Sequence, residues 1–238
     1  MMKSYTAAVL AQALLLVTAS AVTAQERDRY EGQREAMVRL IEDYGVRDSK
    51  TLAAMRAVPR HEFVPAEHLN RAYGDYPVPI GLGQTISQPY IVAFMTEILE
   101  AEPGMKVLEV GTGSGYQAAV LAAIGCEVYT VEIFEDLATR ARERLERLGY
   151  GGATVRHADG HNGWSEEAPF DVVIVTAAAG YIPPALVEQL RPGGRMIIPV
   201  GSVYGVQNLI LVEKRSEEDV RTRNVLPVRF VPMLKGLR

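Results

Sequence analysis

The chain has 238 residues, of which 48% are hydrophobic and 23% are charged. This length and composition allow one substantial buried core, so we expect a single domain after any leader. The 25 Lys and Arg against 29 Asp and Glu give a net charge of −4, which excludes the global basic field of a nucleic-acid-binding protein. The lone Cys126 excludes an intramolecular disulfide and a cysteine-based zinc site, and we assign no metal.

The N-terminal residues have the layout of a secretory signal peptide. Lys3 precedes a charge-free stretch whose apolar centre, Ala7–Leu16, is too short to span a membrane comfortably. Because small side chains precede the predicted site, we expect cleavage after Ala24 and a signal peptide at residues 1–24. The mature protein is then periplasmic or secreted, with no stable membrane association. The alternatives are an uncleaved anchor or a start codon placed too far upstream of a cytoplasmic protein.

Residues 25–104 form a predicted N-terminal segment rich in helices. Apolar residues at helical spacing indicate a first helix over Arg27–Tyr44 and a second over Ser49–Val58, with Ser49 as its N-cap. The stretch Arg60–Gln84 is rich in Pro, Gly and Tyr and predicts an ordered but irregular connection. A third helix should begin just after Ser87, which is its predicted N-cap, because Pro is favoured in a first turn.

From Met105 the pattern changes to strands and helices in alternation, which is typical of a parallel sheet built from βαβ units. The predicted strands are Lys106–Val110, Glu127–Val131, Thr154–His157, Phe170–Thr176 and Arg195–Pro199, with helices at Gly115–Ile124, Glu135–Leu148 and after Pro183–Pro184. Two final strand-like stretches, Asn208–Glu213 and Val220–Val231, predict an antiparallel hairpin at the sheet edge. We therefore predict an α/β protein with a doubly wound, mostly parallel seven-stranded sheet of Rossmann-like type. Residues 105–238 form the cofactor-binding sheet and edge strands of one domain at residues 25–238.

Three alternating glycines, Gly111, Gly113 and Gly115, follow the first strand of this sheet. Doubly wound sheets bind nucleotides at this point. The GxGxG spacing places Tyr116 where the dinucleotide fingerprint has its third glycine, which weakens a pyrophosphate interpretation and leaves room for a nucleoside. A tight strand-to-helix turn that binds nothing is the alternative.

Acidic residues near the ends of neighbouring strands narrow the choice of ligand. Glu132 ends the second strand, where a carboxylate accepts hydrogen bonds from both hydroxyls of a ribose. Asp159–Gly160 follows the third strand and can meet an adenine amino group, although Asp-Gly is also a common turn. Glu109, just before the glycine loop, suits a sulfonium and its ammonium, or merely caps a neighbouring helix. Together these residues favour S-adenosylmethionine over NAD, for which no hydride-orienting group stands out. The predicted cofactor-binding residues are Glu109, Gly111, Thr112, Gly113, Gly115, Glu132, Asp159 and Gly160.

The stretch Gly83–Ala93 reads GQTISQPYIVA and resembles the signature of protein-L-isoaspartate O-methyltransferases. Further stretches resemble the same family in the same order, namely Pro59–Pro65, Tyr76–Gly81, Leu108–Tyr116, Phe170–Asp171, Leu190–Gly194 and Val228–Pro232. The resemblance covers Ala36 to Met233, nearly all of the predicted mature chain.

The resemblance implies the methyltransferase variant of the Rossmann-like fold and the repair of damaged proteins. The reaction would transfer a methyl group from S-adenosylmethionine to the free α-carboxylate of an L-isoaspartyl residue in proteins and peptides. By the resemblance, Ser87 is the catalytic residue, Gln84, Thr85 and Ile86 bind the cofactor, and Ile86, Ser87, Val231 and Pro232 bind the substrate. We expect a monomer with no nucleic-acid partner.

Two other functions stay open from the sequence. A methyltransferase acting on another carboxylate or on a small molecule would carry the same glycine loop, although Thr85–Ser87 argues against it. A non-catalytic exported binding module could keep the fold without turnover. The intact glycine loop with Glu132 argues against that alternative only in part.

Overall fold

The computed structural model describes residues 29–202 and 204–237, so the predicted signal peptide lies outside the described residues. The N-terminal elements are helix α1 at 29–43, α2 (Ser49–Ala57), strands β1 (Val78–Gly81) and β2 (Gln84–Ile86), and helix α3 (Pro89–Ile98). β1 and β2 pair as a short antiparallel hairpin. Across the described part of the chain, no helix combines the length and the apolar character needed to cross a membrane.

The centre of the molecule is a seven-stranded sheet with helices between its parallel strands. Its strands are β3 (Lys106–Val110), β4 (Glu127–Glu132), β5 (Ala153–His157), β6 (Phe170–Val175), β7 (Leu190–Val200), β8 (Gln207–Lys214) and β9 (Val220–Val228). The helices are α4 (Tyr116–Ile124), α5 (Glu135–Arg147) and α6 (Pro184–Glu188).

The strand order is β5-β4-β3-β6-β7-β8-β9. The five strands β3 to β7 run parallel to one another, and β8 pairs antiparallel with both β7 and β9. The chain enters this sheet at β3 and adds β4 and β5 toward one edge. It then returns to the other side of β3 with β6 and adds β7, β8 and β9 toward the other edge. The switch point therefore lies between β3 and β6, where such sheets bind ligands. The predicted doubly wound α/β sheet with a C-terminal antiparallel hairpin is confirmed.

The central strands are apolar on both faces because both faces are covered. Neighbouring residues of β3 alternate sides, so Val107 packs into the core beneath the N-terminal helices and Leu108 into the core on the other face. Helix α4 is almost wholly buried and correspondingly apolar. Helix α5 is amphipathic and buries one stripe that includes Leu137, Ala141 and Leu145.

Two predicted helix caps were wrong. The N-cap of α2 is Asp48, whose carboxylate accepts the Thr51 N–H at 2.8 Å, and Ser49 is the first helical residue. Ser87 does not cap α3. The Asp75 carboxylate instead accepts the Tyr90 N–H at 2.9 Å, so an acidic residue distant in sequence satisfies this helix terminus.

Other predicted boundaries also differ, and the strand predicted at Arg195–Pro199 spans Leu190–Val200. The connection Arg60–Gln84 is more regular than expected, because it contains two 3₁₀ turns and the strand β1. The predicted last strand, Val220–Val231, ends at Val228. Beyond it the chain leaves β8 and runs beside Ala178, with Pro232 bridging to that residue. This departure matters because it carries residues 231–234 to the ligand-binding edge of the sheet.

Candidate active site

A cavity of about 750 Å³, counted with its open mouth, lies at the carboxyl ends of β3, β4 and β6. The predicted site residues that line it are Gln84, Thr85, Ile86, Ser87, Glu109, Gly111, Thr112, Gly113, Glu132, Gly160, Val231 and Pro232. The tertiary structure thus brings together residues from five separate stretches of sequence. Two predicted cofactor residues, Gly115 and Asp159, are not among the lining residues.

The three glycines of the loop have different physical roles. All three have positive φ, with values of 101° at Gly111, 54° at Gly113 and 88° at Gly115, which favour glycine. A Cβ at Gly111 would lie 2.5 Å from the Thr176 hydroxyl, so the close approach of two strand ends also requires glycine there. A Cβ at Gly115 would meet Leu145 of α5 at 3.3 Å. Gly115 therefore serves helix packing, which explains its absence from the cavity wall.

Glu132 is held in place by the backbone on both sides of the cavity. One carboxylate oxygen, Oε2, accepts the Gly113 N–H at 2.8 Å, and Oε1 accepts the N–H groups of Ile133 at 2.8 Å and Phe134 at 3.0 Å. Each carboxylate oxygen has two lone pairs, so Oε2 keeps acceptor capacity for a ligand. The residue is positioned to accept a hydrogen bond from a ligand hydroxyl without rearranging.

Glu109 is a fully buried carboxyl in the cavity wall, and neither of its oxygens has a hydrogen-bond partner among the described residues. Burial raises the pKa of Glu109 to about 8, the Glu132 charge raises it further, and the Thr130 hydroxyl partly offsets them. The shortest contact of that hydroxyl is with Thr112 Oγ1, at 2.6 Å. An unpartnered buried carboxyl in a cavity is a feature that a cationic ligand group would relieve.

Asp159 faces the C-terminal end of the chain. Its Oδ1 accepts the His161 N–H and contacts His161 Nδ1, both at 3.0 Å, and its Oδ2 accepts the Gly236 N–H at 2.9 Å. Burial raises the pKa of Asp159, but these hydrogen bonds outweigh it and the net shift is downward. Asp159 therefore holds the C-terminal strap, residues 231–236, whose Met233 and Leu234 close one side of the cavity.

A second groove, of about 990 Å³ with its open solvent, adjoins the cavity. The two share the wall residues Thr85, Ser87, Thr176 and Val231. The groove continues along Ile91, Val206 and Phe230, and its wall also includes Gln88 and Arg229. Ser87 thus stands where the two cavities meet.

Several lining residues were missed by reasoning from the sequence. They include Val92, Tyr116, Gln117, Ile133, Phe134, Thr176, Met233 and Leu234. Thr176 had a usable signal, since it follows a buried parallel strand at the edge where ligands bind. Val92 and Gln117 lie on helices, and no local pattern distinguishes them from other buried helix residues.

The charges of the wall decide which class of ligand fits. The lining residues include no Lys or Arg, so a pyrophosphate would find no cationic side chain there. Within residues 29–202 and 204–237, no three His, Cys, Asp or Glu side chains are grouped to hold a metal. The sheet, the glycine loop and Glu132 define an α/β protein of the class that binds nucleosides at the switch point.

The chain belongs to the protein-L-isoaspartate(D-aspartate) O-methyltransferase family, whose family model matches residues 32–238. A protein-L-isoaspartate O-methyltransferase 2 from Syntrophobacter fumaroxidans is 52% identical over 246 residues, covering 99% of this chain and 100% of the relative. One of the same name from a Polaromonas species is 60% identical over 186 residues, covering 78% of this chain and 88% of the relative. The family and enzyme class predicted from the sequence are confirmed.

Two solved structures support the same assignment. A protein-L-isoaspartate O-methyltransferase superposes with a TM-score of 0.78 at 30% identity, covering 85% of this chain and 66% of that one. A Plasmodium falciparum structure described as a beta-aspartate methyltransferase, in complex with S-adenosyl-L-homocysteine, gives a TM-score of 0.76 at 26% identity. It covers 85% of this chain and 99% of that one. The fold of the family therefore extends over most of the chain.

Proposed function

We propose that this protein repairs damaged proteins by moving a methyl group from S-adenosylmethionine to the free α-carboxylate of L-isoaspartyl residues. Membership of the family and the names of its relatives support both the reaction and the cofactor. The observation that carries the proposal is that Ser87 lines both the cavity at the glycine loop and the adjoining groove. A methyl donor in the cavity and a peptide carboxylate in the groove would meet at this residue.

The cavity residues suit the methyl donor. The preorganised Glu132 carboxylate would accept the ribose hydroxyls, and the unpartnered Glu109 carboxyl would face the ammonium of the amino-acid part. Apolar residues at the other end, including Met233 and Leu234, would cover the adenine. We assign cofactor contacts to Gln84, Thr85, Ile86, Glu109, Gly111, Thr112, Gly113, Glu132 and Gly160, with supporting roles for Gly115 and Asp159.

The bound donor would supply a methyl carbon that the carboxylate oxygen attacks while the C–S bond breaks and its electron pair stays on sulfur. An α-carboxyl has a pKa of about 3.5, so the substrate is already an anion and the chain needs no general base. We assign the substrate to Ile86, Ser87, Val231 and Pro232. The Ser87 hydroxyl would donate to one carboxylate oxygen and leave the other free to attack. The negative charge of the carboxylate and the positive charge of the donor sulfonium both disappear in the reaction. The apolar walls at Ile86 and Val231 therefore favour it by excluding water.

The test is methyl transfer from labelled S-adenosylmethionine to matched peptides that contain L-isoaspartate or L-aspartate. We expect base-labile methyl esters on the isoaspartyl peptide alone. Ser87→Ala should lower kcat/KM by about 10- to 100-fold, the worth of a hydrogen bond to a charged group, while the cofactor Kd stays within about threefold. Ser165→Ala is the matched control, since Ser165 is exposed and lies outside both cavities.

Other outcomes would contradict the proposal in distinct ways. Cofactor binding without isoaspartyl turnover would point to a methyltransferase for another carboxylate or a small molecule. No cofactor binding by the folded wild-type protein would point to a non-catalytic binding module. Full activity in Ser87→Ala would remove Ser87 from the mechanism and leave the reaction itself intact.

We further propose that the chain is exported and works as a monomer in the periplasm or outside the cell. Lys3, the apolar Ala7–Leu16 and the small residues before the predicted cleavage site support export. Mass spectrometry of the exported protein should find an N-terminus at Gln25, and sedimentation should give the mass of one mature chain. A full-length chain confined to the cytoplasm would instead support the cytoplasmic alternative.

A further inference from the structure

Arg60 is a fully buried arginine whose hydrogen-bond partners, within the described residues, are two backbone carbonyls. Its Nε donates to the Ala72 carbonyl at 2.8 Å and its Nη2 to the Ser87 carbonyl at 2.7 Å. The remaining nitrogen, Nη1, has no hydrogen-bond partner in the part of the chain that the structure describes. Burial lowers the pKa of Arg60, although the Tyr116 side chain and the Asp75 charge partly offset it. An apolar side chain of similar volume would avoid the cost of burying a charge, so stability alone does not account for an arginine here.

The guanidinium also touches the cofactor side of the active site. Its Cζ lies 4.8 Å from the centre of the Tyr116 ring, in a cation–π arrangement. Tyr116 is the first residue of α4, directly after the glycine loop, and it lines the cavity. One planar side chain therefore connects the carbonyl of Ser87 to the base of the glycine loop. A lysine has a single nitrogen and cannot make both hydrogen bonds and the ring contact with the same geometry.

Ser87 and Gln88 are each anchored by a hydrogen bond to a side chain distant in sequence. Arg60 binds the Ser87 carbonyl, and Asp75 accepts a hydrogen bond from the Gln88 side chain at 2.8 Å. Asp75 also accepts the Tyr90 N–H and so secures the start of α3. With its backbone fixed in this way, the direction of the Ser87 Cα–Cβ bond is set, and the hydroxyl can move only by rotation about that bond.

We propose that Arg60 is a positioning residue for methyl transfer. It fixes the Ser87 backbone relative to the glycine loop, and so aligns the substrate carboxylate with the methyl group of the donor. This inference rests on the proposed function, because it acts through the role given to Ser87. Reactions of this kind depend on alignment, and a displacement of about 1 Å can cost about 100-fold in rate. The residue touches neither reactant cavity and is not itself catalytic.

The test compares Arg60→Lys and Arg60→Met in two backgrounds, wild type and Ser87→Ala. In the wild-type background we expect kcat/KM for the isoaspartyl peptide to fall about 10- to 100-fold, with the cofactor Kd within about threefold. In the Ser87→Ala background we expect less than about a threefold further loss, because the side chain that Arg60 orients is gone. A merely structural role would lower activity by the same factor in both backgrounds.

Arg142→Lys is the matched control, since this exposed arginine also donates to a backbone carbonyl, that of Val155 at 3.1 Å, but lines neither cavity. It should leave kcat/KM unchanged. If Arg60→Met fails to fold, Arg60→Lys carries the test because it retains the buried charge. Equal losses in both backgrounds, or a cofactor Kd that rises as much as kcat/KM falls, would overturn the inference while leaving the proposed reaction standing. Absence of isoaspartyl turnover in the wild type would instead be a failure of the proposed function.

Discussion

Replacing Glu109 by glutamine should remove a large part of the pH dependence of folding stability between pH 4.5 and 8. The carboxyl titrates near 4.5 in the unfolded chain, whereas burial raises its pKa to about 8 in the folded protein. Between these values the folded chain keeps a proton that the unfolded chain has released. The contribution of Glu109 to stability is therefore fully present below pH 4.5 and is lost as pH rises through 8.

The magnitude follows from the difference between the two pKa values. A difference of about 3.5, at about 1.4 kcal/mol for each pKa unit, corresponds to a loss of about 5 kcal/mol between the two ends of this range. Glutamine has nearly the same size and shape and does not titrate. At pH 5 the variant should differ from the wild type by no more than about 1 kcal/mol, and at pH 8 it should be more stable by about 2–5 kcal/mol.

Urea unfolding at pH 5 and pH 8 measures this difference directly. Glu143→Gln on the exposed face of α5 is the control and should follow the wild-type profile at both pH values. If Glu109→Gln and the wild type lose the same stability between pH 5 and 8, the carboxyl is not held protonated by burial. The physical account of the cavity wall would then be refuted.

The same carboxyl should couple cofactor binding to proton release. A cationic group beside Glu109 favours the ionised form, so its pKa falls on binding and a proton leaves at pH values below 8. Calorimetric titration with S-adenosylmethionine at pH 7, in buffers with different heats of ionisation, counts these protons. We expect the wild type to release close to one proton for each cofactor bound. Glu109→Gln should release none from this site.

Three further predictions concern contacts outside the reacting centre. Asp75→Ala removes the side chain that accepts the Tyr90 N–H at the start of α3, and it should lower the free energy of unfolding in urea by about 1–2 kcal/mol. An unchanged unfolding midpoint would contradict the capping role of Asp75. Deleting residues 235–238 removes the backbone donor bound by Asp159, and the cofactor Kd in calorimetry should rise about 5- to 10-fold as the strap loosens. An unchanged Kd would show that the strap does not contribute to cofactor binding. Cys126 is buried with its pKa raised to about 11, so a thiol reagent at pH 8 should label it only after unfolding; rapid labelling of the native protein would show the thiol to be accessible.

The alternation of strands and helices after Met105 could be predicted because it depends on local periodicity. Strands between two covered faces must be continuously apolar, and helices beside them must carry an apolar stripe. The glycine loop and Glu132 were recognisable for a similar reason. Positive φ at the loop requires glycine, and a carboxylate at the end of the next strand falls beside that loop whenever the sheet is parallel.

Helix caps were less predictable, because distant chain can satisfy a helix terminus as well as a neighbour can. Ser87 has the local features of an N-cap, yet Asp75 binds the start of α3 from across a turn. Asp159 likewise has the position of an adenine-binding residue, while the fold turns both of its oxygens toward His161 and Gly236. Each of these outcomes depends on which partner the fold brings within hydrogen-bond distance, and that is a property of three-dimensional packing.

The amino-acid sequence by itself determined the class of fold, the family, and the stretches that supply the glycine loop and the segment Gln84–Ser87. Only the tertiary structure decided which of those residues face the cavity and that Arg60 joins the Ser87 carbonyl to Tyr116. It also decided that Glu109 lies in the cavity wall with no hydrogen-bond partner among residues 29–202 and 204–237. The physical reason is the range of the forces involved. Backbone conformation and apolar periodicity are set within a few residues, whereas burial, pKa shifts and the partners of a buried charge are set by chain segments that meet only on folding.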